Sequence, residues 1–243
     1  MKIVVPMLGR GSKFVQAGYT VPKPLIRIRN KYMFEWALES ISFLNLKKDC
    51  IFIILKQHRD EYHLDEEIRK TVGTDVHIDI VDFIPEGAAK TVLLVRSHID
   101  NNEELIIYNY DQFFVSSLKQ ELKNLPDSID GLIPIFPATN PKWSYVETND
   151  KDFIIKTAEK EVISNKATIG LYYFKKGKDF VWAADQMISK QLMVGGEYYV
   201  CPVYNELIQA GKKIKALSVT QMWSLGTPED VQHFERYYKG DIL

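Results

Sequence analysis

The chain is short of cysteine, of long apolar runs and of net charge, and each shortage narrows what it can be. Cys50 and Cys201 are its only two cysteines in 243 residues. They are too far apart for a metal-ligand spacing and too few for a disulfide framework, so reduced core thiols in a cytoplasmic protein are expected. No segment approaches the roughly 20 apolar residues of a membrane span. The opening run Ile3–Leu8 is too short for a secretory core, and Arg10 and Lys13 cut it off. Lys and Arg total 31 against 32 Asp and Glu, a net charge of −1. Neither nucleic acid nor a membrane surface is therefore an expected partner, and any anion site must be local. Repeats and low-complexity linkers are lacking. The five histidines show no ligand spacing; His58 and His63 fit the surface of a helix.

What is present is an apolar fraction of 46%, that of a well-packed globular chain. Strand-like and helix-like stretches alternate through the first half. Strands are expected at Ile3–Met7, Cys50–Leu55, Val76–Phe83 and Glu104–Asn109, with helices at Met33–Leu44, Asp60–Val72 and Gly87–His98. The run "CIFIIL" reads as a strand covered on both faces. This βαβ alternation implies a mostly parallel sheet. The second half reads as strands at Leu132–Phe136, Trp143–Thr148, Phe153–Glu159, Ala167–Phe174 and Lys213–Ser218, with helices at Phe180–Lys190, Pro202–Gly211 and Pro228–Tyr238. No composition break forces a boundary. One domain is expected, with a nucleotide-binding half over 1–115 and an acceptor-binding half over 116–243.

The stretch "MLGRGSKFVQAGYTVPKPL", Met7–Leu25, follows the first strand. In a parallel sheet ligands gather at the carboxyl ends of strands. Gly9 and Gly11 let backbone amides approach an anion, and Arg10, Lys13 and Lys23 add positive charge. It is neither of two familiar glycine loops. A dinucleotide fingerprint needs glycine where Phe14 stands, and the Gly-Lys-Ser/Thr of a P-loop does not occur.

The string "GRGSKF…PKPLI" followed by "NKYMFEWALESI" resembles the signature of sugar-phosphate nucleotidyltransferases. Further pieces follow in the family's order: "PEGAAKT" at Pro85–Thr91, "IIYNYDQ" at Ile106–Gln112, "AEKE" at Ala158–Glu161, "ATIGLYYF" at Ala167–Phe174 and "WSLGTPEDV" at Trp223–Val231. The resemblance spans nearly the whole chain. It is nearest to small enzymes encoded with capsule and other surface-polysaccharide genes. It implies a three-layer α/β/α, Rossmann-like sandwich with a mixed, mainly parallel central sheet. It also implies transfer of a nucleotidyl group from an NTP to a phosphorylated acceptor, with release of pyrophosphate and with Mg²⁺ as cofactor.

By that resemblance, Gly9, Gly11 and Ser12 cradle the triphosphate, aided by Arg10. Lys13 stands where the family has arginine; it supplies charge without the bidentate fork. Lys23, fixed between Pro22 and Pro24, meets the α-phosphate and the incoming phosphate. Asp111 binds the metal, unless it merely caps a helix before "FFVSSLKQEL". Leu8, Glu86, Gly87, Ala88 and Tyr110 line the nucleotide. Lys160 holds the acceptor phosphate, Glu159 accepts from acceptor hydroxyls, Gly170 leaves room for the acceptor, and Glu197 is a further acceptor contact. Trp143, Trp182 and Trp223 are expected in the core.

One position departs from the pattern. The second metal-binding aspartate is replaced by Ser224, which leaves Asp111 alone or calls in Asp230 or Glu197. Two other functions stay open. A glycosyltransferase of related fold wants Asp-x-Asp, where this chain has "YDQ" at Tyr110–Gln112. A non-catalytic nucleotide sensor is supported by Ser224 alone. CTP is favoured over UTP, GTP and dTTP; the acceptor is a sugar 1-phosphate or another phosphorylated small molecule. Self-association into a homo-oligomer is left open.

Overall fold

The computed structural model describes residues 1–240. Its centre is a ten-stranded sheet that runs through both halves of the chain. Across the sheet the order is Ile154–Glu159, Ser144–Thr148, Lys166–Thr168, Gly131–Pro137, Leu171–Phe174, Leu105–Tyr108, Lys2–Met7, Cys50–Leu55 and His77–Val81; Ile214–Ser218 pairs with Gly131–Pro137 off this path. The last four strands of that order are mutually parallel. Leu171–Phe174 joins them antiparallel, through Tyr172 opposite Ile107, and makes the sheet mixed.

Period-two alternation explains the layers. Ile3, Val5 and Met7 face one apolar cluster and Val4 the other. Cys50–Leu55 is buried at every residue, with Phe52 and Ile54 on one side and Ile51 and Ile53 on the other. Helices cover both clusters. Both cysteines are buried and free, as the composition suggested, and burial pushes the Cys50 thiol up to about 12.

Four expected elements are broken or shortened, two of them where the backbone turns left-handed. The helix expected over Asp60–Val72 is two, Lys56–Tyr62 and Leu64–Val72, joined by His63 at φ 52°. The strand expected over Ala167–Phe174 is two, parted at Gly170, whose φ is +75°. The helix expected over Met33–Leu44 stops at Glu39, and the one over Gly87–His98 divides into Ala88–Leu93 and Arg96–Ile99. His63 is exposed, but His58 is half-buried, and burial lowers its pKa.

A second, two-stranded sheet pairs Gln112–Val115 with Gln221–Ser224, antiparallel, with Gln112 opposite Ser224. The Leu225 amide then donates to the Asp111 carbonyl at 2.8 Å. This small sheet carries the chain's closing segment to the carboxyl end of Leu105–Tyr108. No helix among the described residues is long and apolar enough to cross a membrane.

Candidate active site

Two adjoining cavities open at the carboxyl ends of the parallel strands. The first, of about 300 Å³, is lined by Leu8, Gly9 and Lys23, by Pro85, Gly87 and Ala88, and by Tyr110 and Asp111. The second, of about 230 Å³, is lined by Lys13, Gln112, Trp143, Glu159, Gly170, Tyr172 and Asp230, among others. Ala88, Asn109, Asp111 and Tyr199 line both, and so form the wall between them.

Gly9 and Gly87 line the first cavity, and Gly11 lies behind Lys23. Gly11 sits at φ 61° ahead of the short helix Ser12–Gln16, and a Cβ there would stand 3.0 Å from Lys23 Cβ. Gly87 sits at φ +98°, and a Cβ there would fall 2.5 Å from the Tyr198 carbonyl oxygen. That close approach is needed because the Tyr198 amide donates to the Glu86 carbonyl at 2.8 Å and the Ala89 amide to the Tyr198 carbonyl at 2.9 Å. Lys23 opens a 3₁₀ turn, Lys23–Leu25, between its two prolines. Its Nζ donates to Asp111 Oδ2 at 2.5 Å, and the two side chains are 13% and 21% exposed. Asp111 does not cap a helix: the strand Gln112–Val115 follows it directly, and the next helix begins at Leu118. Tyr110 is buried beside it, and burial raises the phenol well above its ordinary range.

The second cavity is richer in polar side chains. Ser144 donates to the Glu159 carboxylate, and Tyr172 Oη bonds Thr168 at 3.1 Å. Burial raises the Glu159 pKa, opposed by Ser144 and the Lys160 charge. Gly170 is required by space: a Cβ would lie 2.7 Å from Asn109 Nδ2 and 3.0 Å from the Gln112 amide. At the far wall Asp230 takes a bond from Ser224 at 2.8 Å and an ion pair from Lys142 at 2.8 Å. Burial pushes the Asp230 carboxyl up, but Lys142 and Ser224 outweigh it and the net shift is downward.

The predicted residues are therefore distributed unevenly. Leu8, Gly9, Lys23, Gly87, Ala88, Tyr110 and Asp111 converge on the first cavity. Glu197, expected beside the acceptor with Glu159, also lines the first. Lys13 lines the second cavity, with Glu159 and Gly170. Arg10, Gly11, Ser12, Glu86 and Lys160 line neither. Arg10 borders a separate hollow with Lys56 and Phe83, Glu86 pairs with Lys90 at 3.2 Å, and Lys160 donates to the Tyr199 hydroxyl, which in turn donates to Glu197. Two tryptophans are not core residues: Trp143 lines the second cavity and Trp182 is 45% exposed. Sequence reasoning missed Asn109, Gln112, Lys142 and Tyr199. The first two flank Tyr110–Asp111 in a quoted motif, and Tyr199 stands two residues after the predicted Glu197 in "GGEYYV"; Lys142 lies outside every motif.

A nucleotidyl transferase family model matches residues 6–231. The low-salt glycan biosynthesis nucleotidyltransferase Agl11 of Haloferax volcanii is 24% identical over 95% of this chain, which spans 64% of that protein's length. Among solved structures, a nucleoside-diphosphate-sugar pyrophosphorylase from Vibrio cholerae superposes with TM-score 0.83 at 26% identity, covering 96% of this chain and 99% of that one. An inositol-1-phosphate CTP transferase from T. maritima shares the fold, with TM-score 0.77 at 14% identity, covering 100% and 97%. A glycine-led loop after the first strand, an aspartate at a divide between two cavities, and a match over nearly the full length agree: the chain belongs to the nucleotidyl transferase family.

Proposed function

We propose that this chain joins an NTP, with CTP the first to test ahead of UTP, GTP and dTTP, to a phosphorylated small molecule and releases pyrophosphate. The observation that carries this reading is Asp111, with Lys23 upon it, in the wall common to the two cavities. A nucleotide in the first cavity and an acceptor in the second would meet there. An acceptor phosphate oxygen attacks the α-phosphorus, the bond from that phosphorus to the bridging oxygen breaks, and pyrophosphate leaves with the electron pair. No covalent enzyme intermediate is needed, so the side chains position the reactants and balance charge. Lys23 is placed to neutralise the phosphoryl group in transfer. Glu159 and Gln112 offer acceptor oxygens to substrate hydroxyls, and Gln112 Oε1 is buried without a partner.

The oxygens present suit magnesium. Asp111 Oδ2, Ser224 Oγ and Asp230 Oδ2 lie 3.4, 3.5 and 3.8 Å from one point, the place of a Cβ on Gly226. All are hard donors, and magnesium is commonly held by one or two carboxylates together with phosphate oxygens. Asp111 would hold the ion, with Asp230 the nearest second carboxylate to the Ser224 position. Bound there, magnesium would neutralise phosphate charge. The glycan-biosynthesis relative and the sugar pyrophosphorylase fold support an acceptor such as a sugar 1-phosphate and a role in surface-polysaccharide precursor synthesis.

The test is pyrophosphate release with each of four NTPs plus Mg²⁺ against a panel of phosphorylated acceptors. Acceptor-dependent release with one NTP, lost in Lys23→Ala and Asp111→Ala, is expected. No release with any pair, alongside measurable NTP binding, would overturn the proposal in favour of a nucleotide sensor.

A further inference from the structure

Both carboxylates nearest the Gly226 point are already occupied by lysines. Lys23 Nζ lies 2.5 Å from Asp111 Oδ2, and Lys142 Nζ lies 2.8 Å from Asp230 Oδ1. Among the described residues no group of three or more His, Cys, Asp or Glu could hold a metal by itself. An ammonium and a divalent cation compete for one mostly buried carboxylate, because their mutual repulsion is poorly screened there.

We infer that Lys23 is a resident cation that closes Asp111 to metal until a polyphosphate draws its ammonium away. The inference rests on the nucleotidyl-transfer reading for the identity of that polyphosphate. The lysine is built for such an exchange. Its backbone is held between Pro22 and Pro24. Its four-carbon stem is unbranched and rotatable, and it lines the nucleotide cavity. Among the described residues its ammonium also meets the faces of Tyr110 and Phe14, at 5.5 and 5.8 Å, which attract a cation weakly. A triphosphate offers it several oxygens and more negative charge than one carboxylate. Once the ammonium has turned to phosphate, Asp111 is left partly buried without a counter-ion and becomes a ligand for the divalent ion the nucleotide brings. Metal and nucleotide thus favour each other's binding, and the linkage is reciprocal. Lys142 holds Asp230 in the same way, so the nucleotide-free site is balanced by two ammoniums.

The experiment is a Mn²⁺ titration of nucleotide-free protein, read from the EPR signal of free Mn²⁺. Wild type is expected to bind weakly, and Lys23→Met at least tenfold more tightly. Lys13→Met removes the same charge from the adjoining cavity without uncovering Asp111, and should change affinity by less than threefold. Asp111→Asn added to Lys23→Met should abolish the gain. Equal Mn²⁺ affinity in wild type and Lys23→Met would overturn the inference, as would equal gains in the two lysine variants. Should Lys23→Met fail to fold, tight nucleotide-free binding by wild type that Asp111→Asn removes would overturn it as well. The titration needs no turnover. A protein that releases no pyrophosphate would overturn the transfer reading by that separate assay, whereas these outcomes judge the lysine alone.

Discussion

At the scale of single residues, the site is held by positions where geometry admits little choice. Gly87 combines a positive φ with a Tyr198 carbonyl oxygen 2.5 Å from any added Cβ. Gly87→Ala should therefore suffer both backbone strain and overpacking, each typically ~1–3 kcal/mol. A fall in Tm with weakened nucleotide binding would show it; unchanged Tm would mean the Glu86–Ala89 segment is looser than described. Glu159 gives a pH signature. Burial raises its folded pKa above the ordinary 4.5, so the stability linked to its protonated form is present below that value and is lost as pH rises through the folded pKa. Glu159→Gln cannot titrate. Its Tm relative to wild type should be higher at pH 8 than at pH 4, while its KM for acceptor rises. A Tm difference independent of pH would contradict the burial argument.

At the scale of elements, one aromatic cluster fastens the closing helix Pro228–Tyr237 to the site. The Trp36 ring meets those of Phe113, Phe234 and Tyr238 at 5.0–5.6 Å, and its Nε1 donates to the Ile28 carbonyl at 2.9 Å. Trp36→Ala should cost ~3–5 kcal/mol, measurable by urea unfolding. Because Phe113 stands two residues after Asp111, the loss should also weaken NTP binding. The parallel strands and the glycine loop were legible in the sequence because their signals are local: continuous apolar runs, and Gly, Lys and Pro in fixed order. The breaks at His63 and Gly170 were not. A single left-handed residue interrupts an element without disturbing its apolar pattern. The pairing of Gln112–Val115 with Gln221–Ser224 was equally hidden, since it joins segments more than a hundred residues apart. Lys142 reaches the site by such long-range placement, which explains why no motif announced it.

At the scale of the molecule, the sheet passes without interruption from Leu105–Tyr108 to Leu171–Phe174, joining the first half of the chain to the second. Its two faces carry two large apolar clusters, each drawing residues from both halves. One cooperative unfolding transition is therefore expected, with far- and near-ultraviolet circular dichroism coincident; two separated transitions would mean the halves fold independently. The shared wall has a kinetic consequence. A finished nucleotide conjugate would straddle Ala88, Asn109, Asp111 and Tyr199 and fill both rooms at once. It would compete with donor and acceptor alike, so the enzyme would slow as its own output accumulates, with no separate regulatory site required.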